Sequence, residues 1–248
     1  MTDSPTYPRY PSQDDVPEGV AQSGATAAPG QAAPHPVAPT GYAQPLGLLT
    51  ALTVGVAALY TALLLPRFWL AQDAVERWER QEADGGLAWD LWTPYELVDA
   101  ASFPVLLGAY VITCLWLWRV RSNLEVLSPT SPHARRRGWV WGGWLVPIVS
   151  LWFPYQVVRD ALRVRSHRPS SGARVGWWWG AFLLGCLATG VESVFVPVDE
   201  IDTASIQHLP AFAAATTVLF VVACALWIRV VRAIAADQAE LLAGTEAR

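Results

Sequence analysis

The sequence predicts an all-α integral membrane protein. It has four transmembrane helices, a Trp/Gly/Pro-rich re-entrant or interfacial helical hairpin between the second and third of them, and a disordered N-terminal tail. Three observations lead there: a deficit of charge, uncharged apolar runs about as long as a bilayer is thick, and a lopsided distribution of arginine. Of 248 residues, 53% are hydrophobic and 15% charged, against about 25% charged in an ordinary soluble domain. The apolar residues are bunched into runs too long for buried soluble helices.

Composition also narrows function. With a net charge of −4, and with basic residues bordering apolar runs instead of forming a basic face, no nucleic-acid partner is expected. All 17 basic residues are Arg, which together with abundant Ala, Gly and Pro points to a GC-rich bacterium and hence to a plasma membrane. Cys114, Cys186 and Cys224 lie in three different apolar runs, with no Cys-x-x-Cys and no His at ligand spacing, so neither metal nor cofactor is expected. His35, His133, His167 and His208 are scattered, and the chain lacks His-x-x-x-His, Gly-x-Ser-x-Gly and a Walker loop. The expectation is a protein that is not an enzyme.

Residues 1–44 are rich in Pro, Ala, Ser and Gln without apolar periodicity, so they read as a disordered cytoplasmic tail that cannot bury enough surface to order itself. It contains P-x-x-P spacings such as Pro8-Arg9-Tyr10-Pro11. No cleavable signal is expected, because the first apolar run starts only after this polar stretch. The membrane domain spans 45–235. Its first span, about 46–65, lies between Pro45 and Pro66 and matches a hydrocarbon core of about 30 Å. Gly47, Ala51, Gly55, Ala58 and Ala62 make a small-residue stripe expected to pack against a neighbouring helix. From Leu70 to Glu82 an amphipathic stretch puts Leu70, Ala71, Ala74, Val75 and Trp78 on one face, and Gly85-Gly86 ends it. The second span, about 97–118, is kinked by Pro104 and closes on Trp116 and Trp118 before Arg119. The last two spans cover about 175–196 and 209–230, and 236–248 is a short tail.

Arginine decides the topology. If residues 138–158 enter and return on one side, 14 arginines lie inside and only Arg67, Arg77 and Arg80 outside. If that run crosses, the better orientation leaves 11 inside and six outside, with Arg135, Arg136 and Arg137 stranded. The positive-inside rule therefore favours four spans, with both termini cytoplasmic.

The run itself is unusual, with Gly142-Gly143, Pro147 and Pro154 interrupting helical hydrogen bonding and Trp139, Trp141, Trp144 and Trp152 favouring headgroup depth. Freed backbone groups are tolerated in a membrane only when buried in protein or facing water, so a broken hairpin fits. The pattern Gly142-Gly143-Trp144, Pro147, Leu151-Trp152 and Pro154-Tyr155-Gln156-Val157-Val158, followed by Trp177-Trp178-Trp179, resembles the signature of an actinobacterial family of multi-pass membrane proteins, domain-of-unknown-function family 4328. The resemblance covers about 45–235, with Ser150 standing where that family is expected to carry Asn. It implies an architecture and no established activity.

Glu192 follows Ala181, Gly185 and Ala188 at helical spacing, which places it on the packing face of its span. In the four-span topology Glu192, Asp99 and Arg67 all fall near the outer ends of their helices and are candidates for a charge cluster. Intramembrane charges of this kind either pair or serve an ion path. Arg159, Arg163 and Arg165, opposite Val158, Ala161 and Leu162, suit anionic headgroups. The resulting expectation is a membrane component whose cytoplasmic face binds lipid headgroups or a protein partner. The alternative is a small transporter or channel subunit using Glu192 and Asp99.

Overall fold

A computed structural model of the chain describes residues 43–86, 92–127, 135–163, 170–195 and 206–246, and every regular element among them is helical. The proline-rich segment 1–42, with its P-x-x-P spacings, and Arg165 and Arg168 lie outside the described residues.

The first apolar run forms α1 (Gly47–Leu64). Pro66 interrupts its hydrogen-bond ladder, and the chain restarts as α2 (Arg67–Ala83). The apolar face of α2 is the expected one: Ala71, Ala74 and Trp78 are buried, with Leu70 and Val75 packed at its edge. Gly85 closes it at φ +80°, a conformation a Cβ would disfavour.

Next comes α3 (Pro94–Leu127), whose start is fixed by a capping interaction in which the Thr93 N–H donates to Glu96 Oε2 at 2.6 Å. Residues 138–158 form no fifth long helix. They fold as α4 (Trp139–Leu145), a 3-10 turn (Val149–Leu151) and the start of α5 (Phe153–Arg163). Then α6 (Ser170–Phe195) and α7 (Leu209–Glu246) complete the chain. The last helix continues well past the 209–230 span into the expected 236–248 tail. Ala, Gln, Glu and Leu there are strong helix formers, and Ile234 and Gln238 are buried.

Four helices are long and apolar enough to cross a membrane, begun by α1, α3, α6 and α7. One core joins Trp116, Leu117 and Val120 of α3, Val158 of α5, Trp178 of α6 and Val231 of α7. A smaller one gathers Ala71, Ala74, Trp78, Tyr95, Leu209 and Ala213 at the other end.

The small-residue stripe of α1 does not pack as expected: Gly47, Ala51, Gly55, Ala58 and Ala62 are all exposed. Polar anchors set the rotation of this helix instead. Trp116 Nε1 donates to Thr50 Oγ1 at 3.0 Å, and Thr217 Oγ1 donates to the Leu64 carbonyl at 3.0 Å. Both hold the opposite face of α1 inward, where hydrogen bonds outweigh the close approach that glycines would permit.

Candidate functional site

The three candidate charges come together. Arg67 opens α2, Asp99 lies in the first turns of α3 and Glu192 near the end of α6. Arg67 Nη2 donates to Glu192 Oε1 at 2.9 Å and to Asp99 Oδ1 at 3.1 Å. The sequence reading missed the fourth member, Tyr95. Its hydroxyl accepts from Arg67 Nη2 at 2.6 Å and donates to Glu192 Oε1. The guanidinium carbon lies 5.1 Å from the Tyr95 ring centroid. Arg67 is 4% exposed and Glu192 7%, whereas the Asp99 side chain is 57% exposed, so solvent or headgroups reach the cluster from the Asp99 side. Two buried atoms, Arg67 Nε and Glu192 Oε2, have no hydrogen-bond partner.

Helical register explains the meeting. Ala181, Gly185, Ala188 and Glu192 share the inward face of α6, and a Cβ at Gly185 would come within 3.1 Å of the Phe220 ring, so only glycine lets α6 lie this close to α7. Among the described residues, no group of three His, Cys, Asp or Glu side chains is placed to hold a metal ion.

A second concentration of unusual residues is the segment from Arg135 to Arg159. A Cβ on Gly143 would stand 3.2 Å from Phe153 Cβ, so this glycine permits the contact between α4 and α5. The rings of Trp139 and Phe153 meet edge to face at 4.6 Å. The turn between the helices is strained: Ile148 has φ 65°, ψ −56°, and the Val149 N–H donates to the Pro147 carbonyl at 2.7 Å. Such a γ-turn is rare for a β-branched residue and costs on the order of 1–3 kcal/mol.

Backbone carbonyls of this segment accept from side chains of neighbouring helices. Tyr110 Oη donates to the Trp141 carbonyl at 3.1 Å, Cys114 Sγ to the Val140 carbonyl at 3.3 Å, and Trp179 Nε1 to the Leu151 carbonyl at 2.7 Å. Trp144 packs edge to face on Trp179 and Phe182. Gln156 Oε1 accepts from Arg135 Nε at 2.7 Å, and Arg159 lies over the Tyr155 ring. Leu151 and Trp152 are exposed and Pro154 is buried, whereas Gly142 has only ordinary contact with Trp139.

A family model described as a domain of unknown function, DUF4328, matches residues 88–236. The chain belongs to the DUF4328 family. The match begins about 40 residues later than the resemblance implied, so it takes in the hairpin, α3, α6 and most of α7 but neither α1 nor α2. Tyr95, Asp99 and Glu192 therefore sit inside the DUF4328 region, and Arg67 outside it. Neither a curated protein nor a solved structure matches the chain.

Proposed function

We propose that this DUF4328 protein is a non-catalytic component of a bacterial plasma membrane, with both termini cytoplasmic, a hairpin that re-enters the bilayer, and a basic face that binds anionic lipid headgroups. One observation supports this reading above the others: the hairpin has an apolar tip and a basic base. At the tip Leu145, Val146, Ile148, Leu151 and Trp152 are exposed, Ile148 by 70%, an arrangement suited to lipid and costly in water.

At the base, Arg135 lies over the Phe153 ring at 3.9 Å, Arg137 over Trp118 at 4.4 Å and Arg159 over Tyr155 at 5.3 Å. A guanidinium stacked on a ring keeps its N–H edge free for a phosphate. Arg135 Nε donates to Gln156 and the Nε of Arg137 and Arg159 is buried, so a phosphate would meet the terminal nitrogens, which in Arg137 and Arg159 make only loose ion pairs, both at 3.8 Å, to Glu125 and Asp160.

Each arginine near an anionic surface contributes about 1 kcal/mol. Replacing Arg135, Arg137 and Arg159 together by Gln should therefore cut the enrichment of anionic over zwitterionic phospholipid in the purified protein by about tenfold or more. Lipid mass spectrometry of the detergent-extracted protein measures it, and equal enrichment in the variant would refute the reading.

The topology has its own test, since the 14 to 3 arginine split puts both flanks of the hairpin inside. In a background without Cys114, Cys186 and Cys224, single cysteines at Ser131 and Ser170 should both resist an impermeant thiol reagent in intact cells. Labelling of one alone would mean that the segment crosses.

A transporter or channel subunit is the second reading, favoured by the buried, unpartnered Glu192 Oε2 beside the half-exposed Asp99.

A further inference from the structure

Beneath the hairpin, between α1, α3, α4, α6 and α7, lies a cavity of about 150 Å³. Its wall is aromatic: Tyr60, Tyr110, Trp144, Trp178, Phe220 and Trp227 line it. Trp178 and Trp227 stack at 4.5 Å, Trp144, Trp178 and Phe220 each meet the Phe182 ring, and Phe220 meets Tyr60 edge to face, so all of these rings but Tyr110 form one connected set. Gly185 keeps the Phe220 ring in place, because a Cβ there would stand 3.1–3.3 Å from that ring. The cavity is not sealed. Leu106, which lines it, is 41% exposed on the outer surface of the bundle beside exposed Leu107.

Water does not suit this space. A buried water needs two to four polar partners, and apolar cavities of this size stay dry and accept small hydrocarbons. Few polar groups reach it, and two of them are bonded within the protein: Thr61 Oγ1 donates to the Ala57 carbonyl, and Tyr110 Oη to the Trp141 carbonyl. Tyr60 Oη, Thr113 Oγ1 and Cys224 Sγ have no hydrogen-bond partner among the described residues, which leaves three scattered polar groups on an otherwise apolar wall. An unfilled void also forfeits dispersion contacts on every side. All four apolar helices contribute to the lining or flank it, so the medium at the mouth is the hydrocarbon of the bilayer.

We infer that the cavity is a binding site for a lipid hydrocarbon chain, holding about six carbons of one tail drawn in from the bilayer past Leu106, a benzene-sized volume. Trp144 is the link to the family pattern: a residue of the Gly-Gly-Trp motif forms the hairpin side of the wall. The inference rests on the helices crossing a membrane but not on headgroup binding by the arginines.

The test uses full-length protein in vesicles of phosphatidylcholine and phosphatidylglycerol containing a phospholipid with a diazirine in its acyl chain. After irradiation, adducts should concentrate on peptides carrying Tyr60, Tyr110 and Phe220. Ala223→Leu, which fills the space from α7, should lower those adducts about tenfold while leaving adducts at lipid-facing Leu52 and Val218 unchanged. Ala57→Leu fills it from α1 and serves if the first variant does not fold. Replacing Arg135, Arg137 and Arg159 should leave the cavity adducts intact, which separates this site from headgroup binding. Adducts spread evenly over lipid-facing residues in the unaltered protein, or a yield at the lining that filling does not change, would overturn the inference.

Discussion

Arg67→Gln should destabilise the detergent-solubilised protein by about 3–5 kcal/mol, because it leaves the buried Glu192 carboxylate without its cation. On the scale of a domain this size that is a fall in melting temperature on the order of 10 °C. Arg67 Nη2 holds Tyr95, Asp99 and Glu192 at once, so no other described cation stands in for it. Glu192→Gln should cost less, since Arg67 keeps Asp99 at 3.1 Å and the amide oxygen can still accept from the guanidinium. Adding Arg67→Gln to Glu192→Gln should then cost little more, with a coupling energy of about 0.5–3 kcal/mol as the mark of direct contact. An ion or proton path makes a different prediction. Glu192→Gln would abolish flux into liposomes while leaving stability nearly intact, because a neutral amide removes a costly buried charge. Additive destabilisation with no effect on flux would count against both roles.

How far these features were legible in the sequence depends on the kind of force that fixes them. The four long helices could be read because a bilayer demands about 20 apolar residues in a row, a signal local to each run. Glu192 could be placed on an inward face because Ala181, Gly185 and Ala188 mark that face every three or four residues. The break in the run 138–158 followed from Gly142-Gly143, Pro147 and Pro154, which act on their own backbone.

Tyr95 could not be read in the same way. A tyrosine at the start of a helix is ordinary, and only the fold brings it to Glu192 from 97 positions away. The same holds for Trp179, whose indole N–H reaches the Leu151 carbonyl: the run Trp177-Trp178-Trp179 carried part of the family resemblance but pointed to no partner. The α1 stripe misled for a related reason. Small residues permit close packing without compelling it, and the hydrogen bonds of Thr50 and Thr217 turned the helix the other way.

Helices in lipid gain little from burying apolar surface against each other, so polar contacts weigh more in choosing their arrangement. Two such contacts pin this bundle at opposite ends of α3. Asp99 and Asn123 are separated by about 36 Å of helix at 1.5 Å per residue. At the Asn123 end the network is closed. Asn123 Nδ2 donates to Gln238 Oε1 at 2.9 Å and to the Gln44 carbonyl at 2.8 Å, and its Oδ1 accepts from the Gln44 N–H at 2.9 Å. Gln238 Nε2 donates onward to the Val120 carbonyl at 2.9 Å. One side chain thus ties the segment leading into α1 to both α3 and α7.

Asn123→Ala should accordingly cost about 2–4 kcal/mol, the second largest effect expected. It strands Gln238 Oε1, which has no water to turn to at 2% exposure of its residue, and frees both backbone groups of Gln44. Loss of the side chain also leaves a small void beside Val120 and Leu124. Asn123→Asp should be no milder, since its carboxylate would face Gln238 Oε1 with no donor between them. The informative comparison is Asn123→Leu combined with Gln238→Leu. Replacing both partners by apolar side chains of similar size removes the stranded acceptor, so the pair should recover a large part of the loss even though two polar residues are gone. Thermal unfolding in one detergent compares these variants, and the two leucine singles, with the unaltered protein. If Asn123→Ala proves neutral, the amide network does not hold the bundle. If the double leucine variant is as unstable as the sum of its singles, the contribution of Asn123 lies in its grip on Gln44 and not in its pairing with Gln238.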